Sequence, residues 1–355
     1  MLKANNDKNL SIVLEKYPIN MQLLWQNPDG KADRLLPSFS FPKGFAMDSE
    51  AHAKALALGM HLKVAERLGG QQDKDKAKPL AEWSYKKAIS HTEEVAGVAQ
   101  EISSFPAFKD GFVRDGADMK EVERIMMINT WLHDIGRQGE IDFANLQTVE
   151  LGSLRGDKSL DHAFESSQII RSAGVTDPKI ILPVKYHGLM KYREQMAEDP
   201  MFAKLSEKEQ AGIVRLTDGL RDADKAANLM SKAKNGMAGV GELNNPKYLA
   251  DYTITPETLQ GLVSGEGCSV AVEGHRLDAM LRWLSWGDQF VYPTPAVTKL
   301  ISELWERTFE HAKAEFEAST DKDQARYQAT IASLKNAREI QMARLTQGKD
   351  VSKTD

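Results

Sequence analysis

The chain has 355 residues, 41% hydrophobic and 27% charged, with a formal net charge of -5 and a single cysteine, Cys268. These values describe a globular chain of one large domain with appendages or two domains, and they exclude collagen-like, disordered and disulfide-scaffold classes. The mild acidity supplies no general grip on a phosphate backbone, and one cysteine makes neither an intrachain disulfide nor a Cys-based zinc site.

The first residues, "MLKANNDKNLSIVLEKYPIN", contain no continuous apolar h-region, and no later window reaches about 18 uncharged apolar residues. A cytoplasmic chain with no membrane segment is therefore expected. Residues 1–78 read as an N-terminal arm. Up to about residue 50 it consists of loops around "NPDG" and "PSFSFPKG" with one short helix, serving as a cap or packing arm. A helix over about 48–68 follows, rich in Ala and Leu and stopped by Gly69-Gly70, and "QQDKDKAKP" breaks the chain after it.

Residues 79–235 read as an all-α core of five helices. The first spans about 81–104, where His91, Val95, Val98 and Ile102 share a face. The second carries Val122, Ile125, Ile128 or Asn129, and Leu132 as its stripe, and ends in "WLHDIGR", with Gly136 as the stop. The third covers about 160–172. The fourth starts with Asp177 as cap and Pro178 at the first helical position, and its stripe Ile180, Ile181, Val184 leads to His187. The fifth covers about 207–231, with Ile213, Thr217, Leu220, Asp224 and Ala227 on one side.

Residues 236–355 form a C-terminal helical region. "CSVAVEG" at 268–274 is a strand candidate, "HRLDAMLRWLSWGDQF" a helix, and 296–318 with 320–346 a helical hairpin. In that hairpin Val297, Ile301, Leu304 and Thr308 face Tyr327, Ile331 and Leu334. Lys335, Arg338 and Arg344 are expected on one exposed side, read first as a solvated face, with dimerisation or a nucleic-acid contact as the alternatives. The tail "GKDVSKTD" is expected to fray.

The five core helices place His91, His133, Asp134, His162, His187 and Asp224 on or beside apolar faces. A buried imidazole or carboxylate is costly unless paired or metal-bound. A divalent metal is the shared explanation, since His nitrogen and Asp oxygen both suit such an ion. A lone His on an apolar face is usually a hydrogen-bonded core residue, and His52, His61, His275 and His311 are read as packing or surface positions.

The order His, His-Asp, His, His, Asp resembles the HD-domain superfamily of metal-dependent phosphohydrolases. The phrases carrying the resemblance are "WLHDIGR" (131–137), "DHA" (161–163), "YH" (186–187) and "LRDADK" (220–225), similar to a bacterial subgroup of unassigned substrate. It implies an HD-type helical bundle over roughly 85–235. It also implies one metal on His91, His133, Asp134 and Asp224 and a second on His162 and His187, with Asp134 bridging. Asp224 is preferred to Asp222 on the "ADK" phrase and the helical stripe. The ions implied are divalent, from Mn, Fe, Mg, Ni or Co.

The implied activity is hydrolysis of a phosphate ester or anhydride of a nucleotide or related small molecule by a metal-activated water. Arg137 and Lys185 are the candidate phosphate-binding groups beside Asp134, and Asp161 is read as an orienter of His162. His187 is followed by "GLMKYREQ" with no Gly-Tyr-Pro, and no Glu-Asp pair follows His133-Asp134. The cyclic-dinucleotide and guanosine-tetraphosphate subgroups are thereby disfavoured. HD-fold di-iron oxygenases that cleave a polyol or phosphonate share the ligand set and stand as the alternative, with a nucleotide-binding regulatory scaffold as the third reading.

Overall fold

The computed structural model describes residues 20–26, 34–40, 48–143, 145–150, 161–234, 249–268 and 274–347. The fold is all-α. Contacts divide the chain into two compact units, Met1–Ala223 and Asp224–Asp355. Among the described residues, no helix is long and apolar enough to cross a membrane.

The first unit opens with an antiparallel hairpin, β1 (Asn20–Gln26) and β2 (Arg34–Ser40), in which Leu23 pairs with Pro37. The arm was expected to hold loops and a helix, so this hairpin is a correction. α1 (Glu50–Gly69) follows, its N-terminus capped by the Ser49 hydroxyl, which accepts from the His52 N–H. Ala53, Ala55, Leu56, Ala57, Leu58 and Met60 are all buried, covering every side of the helix, as befits a helix in the interior. The expected break at "QQDKDKAKP" is shorter than its length: Asp73 caps α2 (Lys74–Tyr85), and Pro79 lies within it.

A π-helical turn, Lys86–Ser90, joins α2 to α3 (His91–Ser104), so the single helix expected over 81–104 is two. α4 (Pro106–Arg114) and α5 (Met119–Leu132) come next, α5 capped by Asp118. A 3-10 turn, Ile135–Glu140, leads into the short pair β3 (Ile141–Asp142) and β4 (Gln147–Thr148). α6 (His162–Ser172), α7 (Pro178–Tyr186) and α8 (Tyr192–Ala197) follow. α7 starts as its sequence dictates, with Asp177 accepting from the Lys179 N–H and Pro178 at the first position. α5 packs against α1, α3, α4 and α7, and α6 packs against α7 and the 3-10 turn. Asn129, wholly buried in α5, pins α7 by donating to the Lys179 carbonyl at 3.0 Å. α9 (Glu207–Lys234) runs across the division between the units.

The second unit holds α10 (Pro256–Ser264), α11 (Arg276–Leu284), a 3-10 turn Ser285–Gln289, and the hairpin α12 (Pro295–Ala318) with α13 (Gln324–Gln347). The stripe of α12 is the expected one, with Trp305 added. That of α13 is Thr330, Leu334, Ala337, Gln341 and Leu345 rather than one through Ile331. Gln341 joins the layers: it accepts from the Trp305 indole at 2.9 Å and donates to the Leu284 carbonyl and to Asp288 at 2.9 Å each. Arg344, expected outside, turns inward to donate to Asp288 at 2.8 Å and to the Leu262 and Val263 carbonyls at 2.7 Å. Residues 269–273 of the strand candidate and the tail 348–355 lie outside the described residues.

Candidate metal centre

Four helix ends converge. His91 is the first residue of α3, His133 caps the C-terminus of α5, His162 is the first residue of α6, and His187 caps the C-terminus of α7. Two C-terminal ends bring partial negative charge to one place and the N-terminus of α6 brings partial positive charge, so the helix dipoles do not by themselves select a cation. Asp134, directly after His133, lies among the four imidazoles and is 2% exposed.

Its two oxygens have different partners. Oδ2 lies 3.8 Å from His91 Nε2 and 3.7 Å from His133 Nε2, whereas Oδ1 lies 3.4 Å from His162 Nε2 and 3.8 Å from His187 Nε2. The donor atoms of His91, His133 and Asp134 all fall within 4.8 Å of one another, and so do those of Asp134, His162 and His187. Asp134 belongs to both groups and is the one residue placed to bridge them.

The tautomers follow from the backbone. His133 Nδ1 lies 2.7 Å from the Thr130 carbonyl and His187 Nδ1 lies 2.8 Å from the Val184 carbonyl. A carbonyl only accepts, so each Nδ1 carries its hydrogen, and in the neutral ring Nε2 presents a lone pair. That lone pair is aimed at a carboxylate oxygen, which is also an acceptor. Among the described residues neither Asp134 Oδ1 nor His187 Nε2 makes a hydrogen bond, although both are buried. Acceptor facing acceptor in a buried site is unfavourable unless a proton or cation lies between them.

A divalent ion fits this donor set. Two donors each about 2.1 Å from one ion stand about 3.0 Å apart at a right angle and about 4.2 Å apart on opposite sides. The four Asp134–His separations fall inside that window. The held Nδ1–H groups are the outer-sphere anchors that metal-ligating histidines use to fix ring orientation.

Charge around the carboxylate is arranged to keep it ionised. Burial works against ionisation, yet the Arg137 guanidinium beside it holds the Asp134 carboxyl well below the usual carboxylate range. Arg137 donates from Nε to Asp134 Oδ2 at 2.7 Å, and its Nη1 lies 3.4 Å from Glu140 Oε1. Glu140 lies 3.7 Å from His162 Nδ1, and burial pushes its carboxyl up to about 6. The side chains of Arg137, His162 and Glu140 are 23%, 17% and 15% exposed, against 8% or less for the rest of the cluster, so this edge is the approach from solvent.

The chain matches no protein-family model, no curated protein and no solved structure. The site is therefore read from its own geometry.

Five of the six sequence-derived ligand candidates come together: His91, His133, Asp134, His162 and His187. For the sixth, Asp222 is wholly buried in α9, whereas Asp224 is partly exposed and accepts from the Asn228 amide at 2.9 Å. Neither falls within the two groups of donor atoms. Lys185 turns its ammonium to Asp199 at 2.6 Å, a structural ion pair in place of the expected phosphate contact. Asp161 is the N-cap of α6, accepting from the Phe164 N–H at 2.7 Å. Gly136 is there for space as well as for a stop. A Cβ would lie 2.2 Å from the His162 carbonyl oxygen and 2.5 Å from the Ser166 nitrogen.

Sequence reasoning missed Glu140, Ser166 and Arg221. Arg221, nearly buried, donates to the His187 and Leu189 carbonyls and lies over the Tyr192 ring, holding the chain as it leaves α7. His61, read as a packing residue, is one, but a polar one. Its Nδ1 meets the Ser84 hydroxyl at 3.0 Å, and Ser84 donates to Gln138 in the 3-10 turn.

Proposed function

We propose that the chain is a metal-dependent phosphohydrolase acting on a phosphate ester or anhydride of a nucleotide or similar small molecule. The observation that carries this reading is Asp134: one buried carboxylate with each oxygen facing its own pair of imidazoles. His91 and His133 would hold one divalent ion and His162 and His187 a second, with Asp134 bridging and Asp224, or in its place Asp222, as the sixth ligand. Such ions, when bound, polarise a phosphoryl group and lower the pKa of water enough to supply a nucleophile near neutral pH.

The chain's own residues then have separate tasks. Thr130 and Val184 carbonyls fix the tautomers of His133 and His187, so Nε2 is the coordinating atom in both. Arg137 holds Asp134 Oδ2 through Nε and reaches Glu140 through Nη1, and its side chain is 23% exposed at this edge. A fork of five N–H donors suits a nonbridging phosphate oxygen. Glu140 braces both Arg137 and His162 on that same edge.

The test is metal analysis of the purified chain with a nucleotide and phosphate-ester panel, assayed with added manganese and, separately, with iron and oxygen. Phosphate release with two bound ions supports the reading. Oxygen uptake without phosphate release replaces it with the di-iron oxygenase, and absence of bound metal removes both. Arg137→Ala is expected to raise KM for phosphate substrates by about tenfold, one charge-assisted contact, while keeping both ions bound.

A further inference from the structure

The two ligand groups sit on different elements. His133 ends α5, and His162, twenty-nine residues later, begins α6. What holds them at one distance is Ser166, wholly buried on α6. Its hydroxyl accepts from the Gly136 N–H at 2.8 Å, and lies 2.7 Å from the His133 carbonyl and 2.8 Å from the His162 carbonyl. A hydroxyl has one hydrogen and two lone pairs, so this single group accepts once and shares its hydrogen between the backbones of two candidate ligands. Gly136 shows how close the joint is, since even a methyl group there would overlap the His162 carbonyl.

We propose that Ser166 is the positioning residue that sets the separation between the His91–His133 pair and the His162–His187 pair, and thereby allows Asp134 to serve two ions at once. The inference rests on the two-ion reading above. Removing the hydroxyl takes an acceptor from the Gly136 N–H and a donor from the His133 carbonyl at a buried joint, and the turn and α6 must move or admit water. Coordination tolerates displacements of only about 0.2 Å. His133 faces Oδ2 and His162 faces Oδ1, so movement at the joint is felt across the bridge and not within either pair.

The experiment is titration of the chelator-treated full chain with Co(II), followed by its ligand-field absorption and by equilibrium dialysis. The expected result is two equivalents for the wild type. Ser166→Ala is expected to keep one ion at wild-type affinity and bind the second at least tenfold more weakly, the range for loss of an outer-sphere partner, with an altered absorption spectrum. Ser167→Ala is the matched control. Ser167 is equally buried on the same turn, but its hydroxyl donates only to Phe164 within α6, at 2.6 Å, so both ions should bind normally. Circular dichroism confirms the fold of each variant.

If Ser166→Ala does not fold, Ser166→Cys keeps the shape with a weak hydrogen-bonding group, and the same weakening of the second ion is expected. A folded Ser166→Ala or Ser166→Cys with wild-type second-ion affinity and an unchanged spectrum overturns the inference alone. A wild-type chain that takes up fewer than two equivalents overturns it together with the two-ion reading.

Discussion

Asp134 and Asp199 are both buried carboxylates of the first unit, yet their surroundings are opposites. Asp199 is surrounded by donors: the Lys185 ammonium at 2.6 Å, the Tyr186 hydroxyl at 2.9 Å and the Met201 N–H at 2.8 Å. Burial resists its ionisation, and those donors outweigh burial, holding its carboxyl below the ordinary range. Asp134 has one such donor, Arg137, and otherwise faces four imidazole nitrogens at 3.4–3.8 Å. A saturated polar cluster makes one packing unique, whereas a cluster of converging acceptors is suited to a cation. Buried polarity alone does not distinguish structure from function; the match of donors to acceptors does.

The largest break in this contrast comes from Asp134→Ala. It removes a ligand from both groups, so bound metal should fall from two equivalents to near zero and phosphate release by on the order of 10^3, several kcal/mol of lost ion-dependent stabilisation. Elemental analysis and phosphate assay check it. The thermal stabilisation that added manganese gives the wild type should vanish in the variant, because ligand binding to the folded state is its source. Gly136→Ala should act on the fold and the site together. The added Cβ meets backbone, which cannot rotate away, so a loss of about 4 kcal/mol is expected in urea unfolding, the upper end for a single substitution.

Asp199→Ala sharpens the contrast from the other side. It leaves Lys185 and Tyr186 without their acceptor, at a cost of about 2 kcal/mol, since the Lys185 side chain retains some access to water. That loss should be the same with and without manganese. A manganese-dependent loss would mean that Asp199 supports the metal centre and that the two clusters are not separate.

The parts of this arrangement legible in sequence are those written in local chemistry. Asp177-Pro178 starts α7 as any capped helix starts, and the apolar stripes of α5 and α7 lead the eye to His133 and His187 at their ends. The hairpin of β1 and β2 went unread although "NPDG" lies between two apolar runs, because Pro37 within the second run argues against a paired strand. Glu140 lies in a 3-10 turn with no periodicity to mark it, and Ser166 is one serine among several in "HAFESSQIIRS". Its distinction is a contact to another element. Arg344 was misplaced for the same reason: a long basic residue on a helix reads as solvated until Asp288 and two carbonyls are found beneath it.

The smallest expected effect concerns His61, buried like Asp199 and hydrogen-bonded through Nδ1 to the Ser84 hydroxyl. Burial lowers its pKa from 6.5 to about 4, so the folded chain keeps it neutral while the unfolded chain protonates it from pH 6.5 downward. Stability from this group is complete only well above pH 6.5, about 0.4 kcal/mol of it is gone at pH 6.5, and more is lost as pH falls toward 4, because the unfolded state binds the proton first. At pH 5.5 the loss is about 1.4 kcal/mol by linkage. His61→Asn keeps a hydrogen-bonding group near Ser84 and has nothing to titrate. Its stability should therefore fall less steeply than that of the wild type between pH 6.5 and 5.5, by about 1 kcal/mol, the difference between the losses at the two pH values. Equal slopes in urea unfolding at the two pH values would show that the imidazole is protonated within the fold, and that the contact through Ser84 to Gln138 tolerates a charge.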